Sequence, residues 1–263
     1  MKQNDLYTAI KINPKALKFI SQMFVSETIL QELTDIKTAP SAYNQIKEKL
    51  KDDNNGLKML ACMLKATCYT YKKYLELGVS DKIFIDTLTC FTRFTEEYRK
   101  SYGEYGFDRG WWTYRQLSCV LFKIGELEYE YRDDEKTIHL HIPTGAHINL
   151  ESCKHSLDSF KSFTKKYFPN KNYPIICNSW LLSPELDKLL NDNSNILAFK
   201  HCFKIIRWDK EQDEFLQWIY GRKDIKYNDL PENTSLQRNV KKHLIKRGFI
   251  GSACGILNNF NKR

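Results

Sequence analysis

The sequence of 263 residues has no apolar run that approaches the roughly 18 residues needed by a membrane-spanning helix. Its first residues, MKQNDLYTAIKINPKALKF, alternate polar and apolar side chains and contain no apolar core of a signal peptide. Charged residues make up 28% of the chain, which is typical of a soluble protein. We therefore expect a cytoplasmic protein with no membrane partner.

Closely spaced cysteines are also missing. The chain has 8 cysteines but no Cys-x-x-Cys, the spacing that lets two sulfurs converge on one metal ion or form a redox pair. Most of them stand among apolar neighbours, as Cys177 does in YPIICNSW. We expect buried and reduced thiols, which agrees with a cytoplasmic location.

Three further signatures are absent or weak. Ser179 is not enclosed by Gly-x-Ser-x-Gly, which argues against a hydrolase nucleophile, and no His-x-Glu pattern indicates a deaminase-like zinc site. The net charge of +9 is spread along the chain. Its densest basic stretch, QRNVKKHLIKR, lies on a predicted helix. Such a run of basic residues on a helix usually forms a face exposed to solvent. Charge alone therefore does not indicate a nucleic-acid partner.

The first half of the chain has helical patterns. In GLKMLACMLKATCYTYKKYLEL, apolar residues recur every three or four positions, and DKIFIDTLTCFTRFTEEYRK continues the pattern as one more helix. The character changes at SCVLFKIG, LEYEYR and TIHLHIP, which predict three antiparallel strands between residues 118 and 143. The composition thus separates a helical first part from a mixed second part.

The second half alternates helices and strands. Asn149 is the predicted cap of a helix through NLESCKHSLDSFKSFTKKYF, and the apolar YPIICNSW is a predicted central strand. A short helix near Pro184, a strand in KHCFKIIRW and two final helices follow, the last with a capping box of Thr234 and Gln237. We predict an α+β protein with a helical N-terminal domain (1–116) and a mixed α/β domain (117–263).

Four of the six histidines lie in IHLHIPTGAHINLESCKHSL. His139 and His141 are two residues apart on a predicted strand and so point to one face. They could ligate a metal, serve as a general base or be partly buried structural residues. The following turn and helix carry His147 and His155 away, so a third metal ligand is missing and we expect no metal.

The stretch PTGAHIN joins a strand to a helix. Pro143 ends the strand, Gly145 allows a tight turn, and Asn149 opens a helix whose first amides are free to bind an anion. Many strand–helix joints have the same form without a phosphate. At the end of the predicted central strand, Asn178 and Ser179 are either site groups or simply polar caps.

The second half resembles a family of bacterial acyltransferases that have a helical N-terminal domain and a GNAT-like C-terminal domain. The resemblance covers most of residues 105–250 and is carried by FKIGELEYEY, IHLHIPTGAHI, SWLLSPEL, SNILAFKHCFKI and LPENTSLQRNVKKHL. It implies a GNAT-like domain over 117–263 that transfers an acyl group from acetyl-CoA or another acyl-CoA to an amine acceptor.

The resemblance also implies where acyl-CoA binds. The strands 137–143 and 174–180 would splay apart around pantetheine, and the turn 143–149 would hold the pyrophosphate. The implied cofactor-binding residues are Pro143, Thr144, Gly145, Ala146, His147, Asn178 and Ser179.

A general base is needed to take the proton of the attacking amine. The candidates are His141, which is nearest the strand end, then His139 and Glu128. The usual pyrophosphate pattern fails at Ile142 and His147, and SPELDKLLNDN lacks the tyrosine that often protonates the leaving thiolate. A second class of function therefore stays open, a GNAT-like module that binds CoA or a nucleotide without turnover. An exposed sheet edge would permit a homodimer.

Overall fold

The computed structural model describes residues 1–50, 52–246, 248–258 and 260. The chain forms two compact units that exchange short segments. The first unit consists of Met1–Ile124, Glu128–Glu130 and Lys165–Pro169, and the second of Gly125–Leu127, Tyr131–Thr164 and the chain from Asn170 onward. The division runs through one strand and one helix, and the domain boundary at residues 116 and 117 stays a prediction. No helix among the described residues is long and apolar enough to cross a membrane.

The first unit is mainly helical, as the apolar periodicity predicts. Its elements are α1 (Gln3–Ala9), a 3-10 helix (Pro14–Leu17), α2 (Glu27–Glu32), α3 (Ala39–Lys49), α4 (Leu57–Leu77), α5 (Asp81–Leu88), α6 (Cys90–Tyr102), α7 (Gly110–Leu117) and β1 (Leu121–Ile124).

Helix α4 is the central helix of the first unit. It begins after Gly56 and ends at Gly78, and both glycines have positive φ, the conformation that favours glycine at a helix end. Aromatic rings pack beside it, with the Tyr74 ring centroid 5.1 Å from that of Phe84 and 5.7 Å from that of Phe122. The first half of the α4 stripe predicted from the sequence is confirmed as part of the core, because Leu57, Leu60 and Leu64 are buried. Its second half is wrong, because Leu75 is exposed and Tyr74 is buried in its place.

The second half of the chain alternates strands and helices. Its elements are β2 (Leu127–Arg132), β3 (Thr137–His141), α8 (Leu150–Tyr167), β4 (Ile175–Ser179), a 3-10 helix (Trp180–Leu182), α9 (Leu186–Leu189), α10 (Asn195–Lys200), β5 (Phe203–Asp209), α11 (Glu214–Tyr220), a 3-10 helix (Tyr227–Asp229), α12 (Ser235–Ile245) and β6 (Ser252–Leu257).

The six strands form one sheet with the order β1-β2-β3-β4-β6-β5. The first three are consecutive neighbours joined by short connections, which allow only antiparallel pairing. Strand β4 pairs in parallel with β3 and antiparallel with β6, and β5 pairs antiparallel with β6. The predicted meander and the predicted central position of β4 are confirmed.

Two helix starts follow the predicted chemistry. The Asn149 Oδ1 atom accepts a hydrogen bond from the Ser152 N–H at 2.9 Å and so caps α8. At α12, the Gln237 N–H donates to Thr234 Oγ1 at 3.1 Å, and the Thr234 N–H donates to Gln237 Oε1 at 3.2 Å. Both predicted caps are confirmed.

Two expectations about the elements are wrong. The segment expected to be one helix after residue 80 is two, α5 and α6, which are separated at Thr89. The expected order ended in helices, but the chain continues into β6, between β4 and β5. Gly251 and Gly255 interrupt the pattern of apolar and β-branched residues by which a strand is recognised in a sequence, so this strand was not predicted.

Candidate active site

The parallel pair β3 and β4 diverges after its first residues. Ile138 pairs with Ile175 and His139 with Ile176, and the Ile138 N–H donates to the Pro174 carbonyl oxygen at 2.9 Å. Both strands then continue, β3 to His141 and β4 to Ser179, while β4 keeps its pairing with β6 as far as Ser179. The sheet thus opens beside the last residues of β3, at the site expected from the resemblance.

The two histidines of β3 lie on one face, as their spacing requires. Ile138 and Leu140 alternate with them and are buried on the opposite face. The ring centroids of His139 and His141 are 6.3 Å apart, and His139 Nε2 lies 3.1 Å from Glu135 Oε2. His139 therefore has a carboxylate partner just before its strand, and His141 lies nearer the opening.

The turn after β3 has the expected form. Pro143 is buried, the Ala146 N–H donates to the Pro143 carbonyl oxygen at 3.0 Å, and Thr144 is exposed. Gly145 has a φ of +85, and a Cβ built there would meet no atom within 4 Å. Gly145 leaves open space before the N-terminus of an 18-residue helix, so a phosphate group can reach the backbone amides there.

A carboxylate contacts this turn. The His147 N–H donates to Glu126 Oε2 at 2.9 Å, and His147 Nδ1 lies 3.4 Å from the same oxygen. Glu126 belongs to the short turn between β1 and β2 and was not among the predicted site residues. No local pattern marks it, because its partner lies 21 residues further along the chain.

The end of β4 carries Asn178 and Ser179. Asn178 is exposed, while the Ser179 hydroxyl accepts a hydrogen bond from the Leu181 N–H at 3.1 Å and so caps the following 3-10 helix. Of the two predicted residues, Asn178 presents a polar side chain to an incoming molecule more directly than Ser179 does. Their role in cofactor binding stays a prediction.

Glu128 has a different environment from the histidines. It lies in the first unit, where its side chain is buried and its Oε1 atom is 2.8 Å from an Arg93 guanidinium nitrogen. Removing one partner of such a pair destabilises a fold, because it leaves the other charge without compensation. Its role as a base stays a prediction, and the structure gives stronger reason to consider His141.

The eight cysteines, all among the described residues, form no disulfide bonds, and Cys62, Cys90, Cys153, Cys177, Cys202 and Cys254 are buried. Burial raises the pKa of the Cys153 thiol to about 12, so that it stays protonated at neutral pH. Among the described residues, no group of three or more His, Cys, Asp or Glu side chains could hold a metal ion.

A mixed sheet that opens beside a parallel strand pair, followed by a glycine turn and a long helix, defines the GNAT-like class of folds. The chain matches the model of the N-acyltransferase N-terminal domain over residues 4–119. It matches the model of the GNAT-like C-terminal domain over residues 121–257, which is more than half of the chain. The protein belongs to this family of acyltransferases, and the resemblance stated from the sequence is confirmed.

Solved structures share the fold over nearly the whole chain. An acyltransferase in complex with decanoyl-CoA and teicoplanin has 20% sequence identity and a TM-score of 0.80, with 97% of this chain and 86% of that chain covered. An acyltransferase variant in complex with octanoyl-CoA has 19% identity, the same TM-score of 0.80 and the same coverage of 97% and 86%. A third, in complex with CoA and 10C-teicoplanin, has 17% identity and a TM-score of 0.71 over 98% of this chain and 99% of that chain. No curated protein matches the chain.

Proposed function

We propose that this protein is an N-acyltransferase that moves an acyl group from acyl-CoA to an amine. The observation that carries the proposal is the divergence of β3 from β4 after His139 and Ile176. Backbone groups at such an opening can pair with the amides of pantetheine. The related folds with bound decanoyl-CoA, octanoyl-CoA and CoA support acyl-CoA as the co-substrate.

The proposed binding mode follows the local chemistry. The pyrophosphate lies at the turn of residues 143–147, where the open Gly145 and the N-terminus of α8 favour an anion. Pantetheine extends between the ends of β3 and β4, beside Asn178. The thioester then lies close to His141.

In the proposed reaction, the nitrogen of a neutral amine attacks the thioester carbonyl carbon. A C–N bond forms, the C–S bond breaks, and CoA leaves as a thiolate. His141 takes the proton from the amine nitrogen, directly or through a water molecule, and that proton finally reaches the thiolate. A backbone N–H near the opening stabilises the oxyanion of the tetrahedral intermediate.

The experiment measures CoA binding and turnover separately. Acetyl-CoA, octanoyl-CoA and CoA should raise the Tm of the protein, and a panel of amines should cause release of the free CoA thiol. His141→Ala should lower kcat by roughly 100-fold or more while CoA still raises Tm, because a general base contributes about 10²–10⁴ in rate.

His139→Ala is the matched comparison, because it removes the neighbouring imidazole from the same face of β3. A smaller loss in His139→Ala than in His141→Ala supports the assignment, and the reverse order transfers the role to His139. Binding of CoA without thiol release from any amine would instead favour the module that binds CoA without turnover. If no CoA species raises Tm, the proposal is rejected.

A further inference from the structure

The histidine face of the sheet extends beyond β4 to the edge strand. In one row of directly paired residues, His139 is beside Ile176, Ile176 is beside Ile256, and Ile256 is beside Lys204. Directly paired residues on neighbouring strands point to the same face. Lys204 therefore points to the face that carries the two histidines.

The next row on this face ends in an arginine. Asn178 pairs with Cys254, and Cys254 pairs with Arg207. A bulge between Ile205 and Arg207 shifts the register of β5, and the shift aligns Arg207 with Cys254. Two cations thus share the face on which Asn178 borders the opening.

The electrostatics of Cys254 agree with this geometry. Burial raises the pKa of its thiol, the positive charge of Arg207 lowers it, and the carboxylate of Glu135 raises it. The guanidinium of Arg207 is therefore close enough to influence the pKa of the Cys254 thiol, which agrees with the pairing of the two residues.

Both cations are exposed, and among the described residues neither has an ion-pair partner. Other exposed cations of the same unit do have partners. Arg222 lies 2.9 Å from Asp224, and Lys223 lies 2.9 Å from Asp213. The charges of Lys204 and Arg207 are thus available to an anionic group of a ligand.

We propose that Lys204 and Arg207 form the subsite that binds a carboxylate of the acceptor, so that the acceptor is an amine that also carries a carboxylate. The inference rests on the proposed function. Three strand spacings, about 14 Å in all, are the least that separates β3 from β5, since β3 diverges from β4, so the acceptor's carboxylate lies several bonds from its amine. Charges and bulges on an edge strand also hinder unwanted pairing, but that role predicts no dependence on the acceptor's charge.

The test compares amines that differ only in this group. The probes are ω-aminohexanoic acid and ω-aminooctanoic acid, each with its uncharged carboxamide, and octanoyl-CoA is the donor. We expect kcat/KM for free-thiol release to be roughly tenfold higher for each acid than for its amide, because charge-assisted hydrogen bonds to a carboxylate are strong. This preference should decrease as the salt concentration rises.

Arg207→Glu and Lys204→Glu should abolish or invert the preference, and Arg207→Lys should retain most of it. Lys161→Glu is the matched control, since it makes the same change of charge at an exposed position of α8 and should leave the preference intact. Arg207→Gln replaces Arg207→Glu if the latter does not fold. In the presence of CoA, the acids should also raise Tm more than the amides do, a difference that Arg207→Gln removes.

Equal kcat/KM for acids and amides, with the ratio unchanged in Arg207→Glu, overturns the subsite. So does a protein whose Tm rises with CoA but responds to no ω-amino acid in either assay. If the proposed function itself is wrong, the outcome is different: neither CoA nor acyl-CoA then raises the Tm of the unmodified protein.

Discussion

At the scale of single residues, Glu126 has the most direct effect on the proposed pyrophosphate turn. Its Oε2 atom accepts the hydrogen bond of the His147 N–H, although the His147 side chain itself is 78% exposed. A carboxylate in this position uses one of the turn's donors and adds negative charge where an anion is to bind. In the proposed binding mode, CoA therefore competes with Glu126 at this turn.

Glu126→Gln should bind CoA more tightly. The amide oxygen can still accept the His147 hydrogen bond, but the negative charge is gone. At about 4 Å in water a unit charge contributes about 1 kcal/mol, so we expect roughly a fivefold lower Kd by calorimetry. Asp192→Asn, at an exposed position before α10, is the control and should not change Kd. Weaker binding in Glu126→Gln would mean that the charge supports the turn instead.

The ion pair of Glu128 and Arg93 should be structural. Glu128 has only 2% of its surface exposed, and Arg93 also lies 3.8 Å from Glu97. Glu128→Ala leaves a partly buried guanidinium with a weaker partner, so we expect the free energy of unfolding in urea to fall by about 3 kcal/mol.

The double variant Arg93→Met with Glu128→Leu tests this explanation. It removes both charges, so it should recover much of the stability lost in Glu128→Ala. If Glu128→Ala is instead as stable as the unmodified protein but no longer releases the CoA thiol, Glu128 is the catalytic base.

At the scale of elements, β6 shows why a glycine-containing segment can be a central strand. A Cβ at Gly255 would lie 2.9 Å from the Phe203 Cβ and 3.2 Å from the Leu182 Cδ1. Cys177 on β4 and Ile205 on β5 flank Gly255 in the sheet. The absence of a side chain is thus what lets the strand fit between its neighbours.

Gly255→Val should destabilise the second unit. The larger side chain must displace Phe203 or Leu182, and overpacking of this kind costs about 1–3 kcal/mol in unfolding free energy. Ile256→Val in the same strand removes one methylene instead and should cost about 1 kcal/mol or less. A Gly255→Val protein with unchanged urea midpoint would contradict the close packing.

At the scale of the whole molecule, stability should fall in alkaline solution. Burial raises the pKa of Cys62, Cys119 and Cys153 from 9.0 to about 12, and that of Tyr7 and Tyr220 from 10.0 to about 12. The unfolded chain releases these protons at lower pH than the folded protein does. The free energy of unfolding must therefore decrease as pH rises from about 9 towards 12.

The measurement is a series of urea unfolding curves between neutral pH and pH 11, with a reductant present to prevent disulfide formation. Between its pKa in the unfolded chain and its raised pKa in the folded protein, each such group lowers the free energy of unfolding by up to about 1.4 kcal/mol per pH unit. A free energy of unfolding that stays constant above pH 9 would show that these groups titrate alike in both states.

Prediction from the sequence succeeded where the signal is local. The first half of the α4 stripe, the caps by Asn149 and Thr234, and the alternation of Ile138, His139, Leu140 and His141 are all visible in short windows, because helix and strand periods repeat within them. The break at Thr89, the strand around Gly255 and the contact of Glu126 with His147 were missed. The strand and the contact depend on residues distant in the chain, and the apolar period continues through Thr89 without a break.

The sequence by itself determined the α+β class and the candidate turn, because local periodicity carries that information. The acyltransferase family followed from the resemblance of its motifs to those of that family. Only the tertiary structure decided which strands are neighbours, where β3 separates from β4, and that Arg207 shares a face with Asn178. Those facts depend on pairing between strands separated by long stretches of chain, and a residue's neighbour across a sheet is set by the register of the whole sheet.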